Sequence, residues 1–333
     1  MTTTRTSPSD RAPSRMPRKI RIGSRPSKLA LAQAAIVRER LTQQISGVEI
    51  EIVEIRTSGD KMTSASLADV GGKGLFIKEL EQALEARTID AAVHSMKDLP
   101  AVLPQEFRVA AVLERENTVD ILVTRDGFAL NALPAGARLG TSSSRRRFQA
   151  LRMNRALEIL PLRGNVDTRL ARVADGTFDA IIIAMAGVKR LGRVNDVKFV
   201  ELDARDFIPS GGQGALAIET LADQSANELD RVLSAVNDAR AFYETAAERA
   251  FLAAIGASCT TPVGVRATMP TDPLRAGTLV VGAMLFSPDG ARELVDAIIE
   301  PLDPNLAPSA AENSGQRLAE KMLARGAAAI LGK

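Results

Sequence analysis

Tryptophan is absent from this 333-residue chain, and cysteine, histidine and tyrosine occur once each. A single cysteine cannot close an internal disulfide. With one histidine it cannot build a structural zinc site, so no metal is expected. Both shortages suit a reducing cytoplasm. Aromatic residues make up only 3%, too few for the stacking platforms that hold unpaired bases. Neither charge sign predominates: 43 Lys and Arg face 40 Asp and Glu, a net charge of +3. A dedicated nucleic-acid binder usually carries a strongly basic domain, so nucleic acid is not the expected partner. Long apolar runs are lacking too. The best, Ala180-Ile181-Ile182-Ile183-Ala184-Met185-Ala186, suits a buried strand, and no membrane span is expected.

What remains is ordinary globular material, with 45% hydrophobic and 25% charged residues. The length asks for two or three domains. Residues 1–17 are rich in Ser, Thr and Pro and read as a disordered tail. They are also Arg-rich and acid-poor, as organellar transit peptides are, but their prolines spoil an amphipathic helix. From residue 18 onward, strands and helices alternate. Lys19–Ile22 reads as a strand, Ser27 caps a helix with an apolar stripe at Leu29, Ala32, Ile36 and Leu41, and Val48–Ile52 alternates as a second strand. Gly71-Gly72-Lys73-Gly74 leads into a helix, and Ala91–Val93 is a short strand running into His94-Ser95-Met96-Lys97-Asp98. The pattern restarts at Ile121–Val123 and continues through Arg138–Gly140 and Ala180–Ala184. This is the grammar of two open α/β sheets. From about Ala239 a long helix, two strands and a last helix read as a smaller α+β unit. Ligands of open α/β sheets bind outside the carboxyl ends of the strands, so two facing units predict a cleft.

Arg25, Arg145, Arg146, Arg163, Arg169 and Arg190 all lie in or beside loops at expected strand ends. Guanidinium groups take carboxylates in a bidentate fork and stay charged at any working pH. Thr141-Ser142-Ser143 before a helix adds hydroxyls and free backbone N–H groups. One such arginine is ordinarily a solvated surface residue; six at strand ends predict a cleft for a polyanion. The segment Gly71–Gly74 lacks the spacing and hydroxyl of a phosphate loop. Asp98 reads equally as a turn-former and as a carboxylate that stabilises a cation or moves a proton. Cys259 sits in a Gly/Ser/Thr/Pro turn, where an exposed thiolate would be nucleophilic if cations lay close. His94 reads equally as a structural hydrogen-bonder and as a base.

Several motifs occur together and in order: Arg25-Pro26-Ser27-Lys28-Leu29-Ala30, Val70-Gly71-Gly72-Lys73-Gly74-Leu75-Phe76, His94–Pro100, Gly140–Arg146, Arg163-Gly164-Asn165-Val166, Ala186–Leu191, Gln213-Gly214-Ala215, Ala247-Glu248-Arg249-Ala250, and Cys259 with Pro262. On these the chain resembles the porphobilinogen deaminase (hydroxymethylbilane synthase) family from residue 18 to the C-terminus. The resemblance implies two periplasmic-binding-protein-like α/β domains flanking a cleft and a smaller α+β C-terminal domain. The implied division is 18–116 with 211–238, 117–210, and 239–333.

It also implies a cytoplasmic, monomeric transferase of tetrapyrrole biosynthesis. Cys259 would carry a dipyrromethane primer through a thioether. Four porphobilinogen units would be added to it, each losing ammonia, before hydrolysis releases the linear product. Pyrroles bearing acetate and propionate make the growing chain a polyanion, and loss of ammonia leaves a cation for Asp98 to stabilise. By the same resemblance, Ser95, Lys97, Thr141, Ser143, Arg145, Arg146 and Arg169 hold the primer. Arg25, Ser27, Gln33, Arg163, Arg190, Gln213 and Gly214 lie nearer the incoming substrate. The chain departs from the family at Val119, where an Arg is expected, at Ser144, where Leu is common, and at Ala257-Ser258, which replaces a Gly-Gly pair. Two alternatives stand beside this reading: a non-catalytic anion-binding module, and a hydrolase using Cys259 with His94.

Overall fold

The computed structural model describes residues 19–61, 77–224, 228–258, 260–302 and 309–332. The N-terminal tail, the glycine-rich segment 71–76 and Cys259 lie outside the described residues.

The first α/β lobe is built on β1 (Lys19–Ser24), β2 (Glu49–Glu54), β3 (Ala91–Ser95) and β4 (Phe107–Val112). The second carries β5 (Asp120–Thr124), β6 (Arg138–Gly140), β7 (Glu158–Leu160), β8 (Ala180–Ala184) and β9 (Phe199–Glu201). The chain then returns to the first lobe as β10 (Leu216–Leu221). The sheet orders are β2-β1-β3-β10-β4 and β7-β6-β8-β5-β9. Helices α1 (Lys28–Gln44), α2 (Ser58–Lys61) and α3 (Lys78–Glu85) belong to the first lobe. Helices α4 (Ser144–Met153), α5 (Val166–Ala174) and α6 (Met185–Arg190) belong to the second. Helix α7 (Glu228–Ser234) packs on β4. An additional unit follows, in which α8 (Ala239–Ala254), α9 (Ser309–Ala324) and α10 (Ala327–Ile330) accompany the antiparallel strands β11 (Val263–Thr268), β12 (Thr278–Phe286) and β13 (Glu293–Pro301).

Local chemistry explains the elements. Ser27 Oγ accepts from the Ala30 N–H at 3.2 Å and starts α1; Ser143 and Asn165 cap α4 and α5 in the same way. The apolar β8 is buried almost throughout, as a central strand covered on both faces must be. The alternating edge strand β2 leaves its glutamates toward solvent.

Both lobe sheets are mixed. The chain crosses between lobes twice, along 113–119 and 202–215, so β5 runs antiparallel to β8 and β10 antiparallel to β3 and β4. The elements that escaped sequence reading are the strands β4, β9 and β13 and the helices α2, α6, α7 and α10. Most are short, and although β13 alternates regularly between exposed and covered positions, its exposed face carries Val295 and Ile299 and its covered face Asp296 and Glu300, so its hydropathy does not alternate.

Candidate functional site

The strand ends of the two lobes come together around one carboxylate. Asp120 opens β5 and is fully buried. Its Oδ1 accepts from Arg146 Nε at 3.2 Å and Nη2 at 2.7 Å, and from Gln213 Nε2 at 3.0 Å. Its Oδ2 lies 2.8 Å from Arg145 Nη2 as an ion pair. Burial opposes the charge, but the two guanidinium groups outweigh it and hold the carboxyl far below the ordinary range. Arg145 also donates to the Ile208 carbonyl at 2.9 Å and lies over the Phe207 ring at 5.9 Å. Arg146 donates to the Ile182 carbonyl at 3.1 Å. Both arginines come from the first turn of α4, directly after the Ser143 cap.

Lys97 approaches from the first lobe, on the one-turn helix Met96–Asp98 that ends β3. Its Nζ donates to Gln213 Oε1 at 3.3 Å. Burial and then the Arg146 cation push its ammonium down to about 8. Arg169, half-buried on α5, is likewise lowered by burial and then by Arg146, and its Nε donates to the Gly164 carbonyl at 2.8 Å. Lys97, Arg145, Arg146 and Arg169 therefore form one cation cluster, and Asp120 is its only buried carboxylate among the described residues. Asp98 stands exposed beside it. Thr141 is buried, with its hydroxyl accepting from the Ser143 N–H at 3.2 Å. Ser95 Oγ accepts from Gln33 Nε2 at 2.8 Å.

The remaining residues singled out in sequence surround this cluster unevenly. Arg190, half-buried, donates to the Gly214 carbonyl at 2.7 Å. Gly214 has φ +87°, and a Cβ there would lie 2.3 Å from the Glu116 carbonyl oxygen, so only glycine fits. Arg25 pairs with Asp60 of α2, its Nη2 lying 2.5 Å from Oδ1. Arg163 is exposed on its loop. Ser27 spends its hydroxyl on the α1 cap. Gln213 is fully buried and its amide bonds to protein partners, Thr118 O and Asp120 on one side and Lys97 on the other. His94 is buried with Nε2 2.8 Å from Glu219 Oε2 on the neighbouring strand β10.

The third unit reaches the first turn of α4 through Thr260. Ser144 Oγ donates to the Thr260 carbonyl at 2.9 Å, which gives that departure from the family a contact of its own. The Ser258 N–H donates to Thr261 Oγ1 at 2.9 Å. The loop bracketing Cys259 is thereby tied to the helix turn that carries Arg145 and Arg146. Val119, the other departure of interest, packs against the apolar cluster of the second lobe.

Sequence reasoning missed Asp120 and the Arg115 hub. Arg115 pairs with Glu244 at 3.2 Å and Glu248 at 2.9 Å, all three nearly buried, and Glu248 Oε2 accepts from the Gly212 N–H at 2.6 Å. The available signals were a carboxylate heading the apolar run Ile121–Val123 and the paired segments Glu114-Arg115-Glu116 and Ala247-Glu248-Arg249.

Two α/β lobes meet at a cation cluster, with an exposed carboxylate at its edge and a third unit tied to it, and that charge arrangement suits the class of proteins that handle polycarboxylates. Comparison with known proteins narrows this class. Residues 20–228 match the family described as "Porphobilinogen deaminase, dipyromethane cofactor binding domain", and residues 242–324 match "Porphobilinogen deaminase, C-terminal domain". The porphobilinogen deaminase of Syntrophobacter fumaroxidans is 44% identical over 273 residues, which are 82% of this chain and 86% of that protein. That of Chromobacterium violaceum is 42% identical over 315 residues, 94% of this chain and 97% of that protein. The chain belongs to the porphobilinogen deaminase family. Among solved structures, the periplasmic VFT2 domain of Bordetella pertussis BvgS is similar with a TM-score of 0.40 at 16% identity, over 66% of this chain and 86% of that one. No described helix is long and apolar enough to cross a membrane.

Proposed function

We propose how this chain carries out the activity of its family, the head-to-tail joining of porphobilinogen units into the linear tetrapyrrole hydroxymethylbilane. The enzyme is a transferase of porphyrin biosynthesis that works on a dipyrromethane cofactor. The observation that carries the residue-level reading is the cation cluster, in which Arg145 and Arg146 pair with one buried carboxylate, Lys97 is linked to it through Gln213, and Arg169 lies near Arg146. Four cations around one buried anion leave positive charge uncompensated, and burial, then the Arg146 cation, destabilise the Lys97 ammonium. That donor set fits the acetate and propionate groups of a dipyrromethane.

When bound, the primer would supply the nucleophilic pyrrole carbon for the first addition, each later unit being joined to the terminal pyrrole of the growing chain. Cys259 anchors it through sulfur. Lys97, Arg145, Arg146 and Arg169 hold its carboxylates, with Ser95, Thr141 and Ser143 supplying short polar contacts. Arg25, Ser27, Arg163 and Arg190 hold the carboxylates of the incoming unit, and Gln33 orients Ser95. Gly214 shapes the turn whose carbonyl receives Arg190. Asp98 stabilises the cation left when ammonia departs and moves protons at its carboxylate oxygens, an exposed group within reach of solvent and substrate alike. The two lobes are the periplasmic-binding-protein-like domains 18–116 with 211–238 and 117–210, and residues 239–333 form the third domain. The enzyme acts as a cytoplasmic monomer.

Intact mass tests this reading. After incubation of apoprotein with porphobilinogen, the mass should rise by one dipyrromethane, and Cys259→Ala should abolish the gain. A product other than hydroxymethylbilane, or an unchanged mass in the wild type, would refute it. The anion-binding alternative predicts binding with no change in mass. The hydrolase alternative is disfavoured by the burial of His94 against Glu219.

A further inference from the structure

Among the described residues of the cluster, Gln213 alone bonds both to the cation of the first lobe, Lys97, and to the anion of the second, Asp120. It lies on the return crossover 202–215. Its backbone is pinned, since its N–H donates to the Ser210 carbonyl at 3.0 Å and its carbonyl accepts from Arg115 Nε at 3.0 Å. Its neighbour Gly212 is held by Glu248 and has φ +74°, with no room for a Cβ beside Met96 and the Lys97 N–H. The side chain is fully buried and therefore has one orientation to choose. Chemistry chooses it. Thr118 O and Asp120 Oδ1, at 2.8 and 3.0 Å, can only accept, so the amide nitrogen must face them. The amide oxygen then faces the Lys97 ammonium, which can only donate. Glutamine is the one uncharged side chain of this length that donates at one branch and accepts at the other.

We propose that Gln213 is a positioning residue that couples the lobes: it fixes Lys97 of the first lobe to the Asp120–Arg146 pair of the second, so that the carboxylate-binding cluster is assembled only in this relation of the lobes. The inference rests on the reading of the cluster as the primer's carboxylate site. Asp120 is the shared element. The same Oδ1 that receives Gln213 also receives Arg146 Nε and Nη2, so a shift of Lys97 is transmitted to Arg146 through three successive hydrogen-bonded links, by way of Gln213 and Asp120. A carboxylate in place of the amide would face Asp120 at contact distance and lose both donated bonds. An apolar side chain would leave Thr118 O and the Asp120–Lys97 link without a partner.

The test uses the full-length chain with Gln213→Glu, Gln213→Met, Lys97→Met and the Lys97→Met/Gln213→Met double variant. The first readout needs no reaction: the pH midpoint of the Lys97 amine in apoprotein, followed by NMR of isotopically methylated lysine. The charged groups that face Lys97 are Arg146, Asp98, Asp120 and Arg145, and none of these is altered. Gln213→Glu adds a negative neighbour and should raise the midpoint by about one pH unit or more. The second readout is elongation by loaded enzyme. Gln213→Met should raise KM about tenfold or more with a smaller change in kcat, because carboxylate binding is lost. In the Lys97→Met background it should add less than about threefold, since residues that act through one another are not additive. Full additivity of the two substitutions, or an unmoved Lys97 midpoint in Gln213→Glu, overturns the coupling. Loss of the mass gain in Cys259→Ala is independent of both outcomes, so failure of the coupling is distinguishable from failure of the assigned function.

Discussion

Loading of the primer should change the protonation of Lys97, and the size of the change follows from its surroundings. In the protein alone its ammonium sits at about 8 rather than 10.5, chiefly because it is buried and faces Arg146, with Asp98 and Asp120 opposing that shift in part. A primer carboxylate brought to about 4 Å, at an effective dielectric near 20, attracts the ammonium by about 4 kcal/mol. That is an upper bound of about 3 pH units, and partial exposure of the side chain halves it to about 1.5 units. The Lys97 midpoint should therefore move from about 8 in apoprotein to about 9.5 in loaded enzyme. NMR of methylated lysine, assigned by the signal missing in Lys97→Met, reads both midpoints directly. Loading between pH 8 and 9 should also take up a proton at this site, measurable as a buffer-dependent heat. An equal or lower midpoint in the loaded enzyme would refute the view that Lys97 meets a carboxylate of the primer.

The same burial predicts a stability effect of definite sign. Lys97 is lowered in the fold, so below about pH 8 its charge costs stability, and the cost is relieved as pH rises toward 10.5. Lys97→Met should stabilise apoprotein at pH 7 by about 1–2 kcal/mol, with the gain shrinking toward pH 10, by urea denaturation. Asp120→Asn leaves two buried guanidinium groups without a counter-charge and should cost about 3–5 kcal/mol in the same assay; a loss below about 1 kcal/mol would contradict the buried-pair argument. Asp98 is exposed, so Asp98→Ala should fold with near wild-type stability yet load or elongate about 10²–10⁴-fold more slowly. His94→Ala should retain much of its activity per folded molecule while losing about 1–3 kcal/mol, because Glu219 is left buried without its partner. Complete loss of turnover in a folded His94→Ala sample would revive the hydrolase reading.

Much of the architecture was legible because its cues are local. Apolar runs such as Ala180–Ala184, the caps at Ser27 and Ser143, and the glycines of the return turn declare their conformations through side-chain chemistry within a few residues. The family, the arginine set and the candidate roles of Asp98 and Cys259 also follow from residues and motifs read in order. What a linear reading does not contain is which distant groups share a hydrogen bond. Asp120 precedes Gln213 by 93 residues and follows Lys97 across the other crossover, yet one carboxylate, one amide and one ammonium form a single chain of contacts. That arrangement arises because the polypeptide passes between the lobes twice, reversing β5 and β10 and bringing both crossovers side by side. Sequence alone placed six arginines at strand ends and predicts from them a cationic cleft for a polyanion. The tertiary structure decided that Gln213 faces protein rather than solvent, and that the cations are organised around Asp120, because burial leaves an amide and a carboxylate no water to turn to.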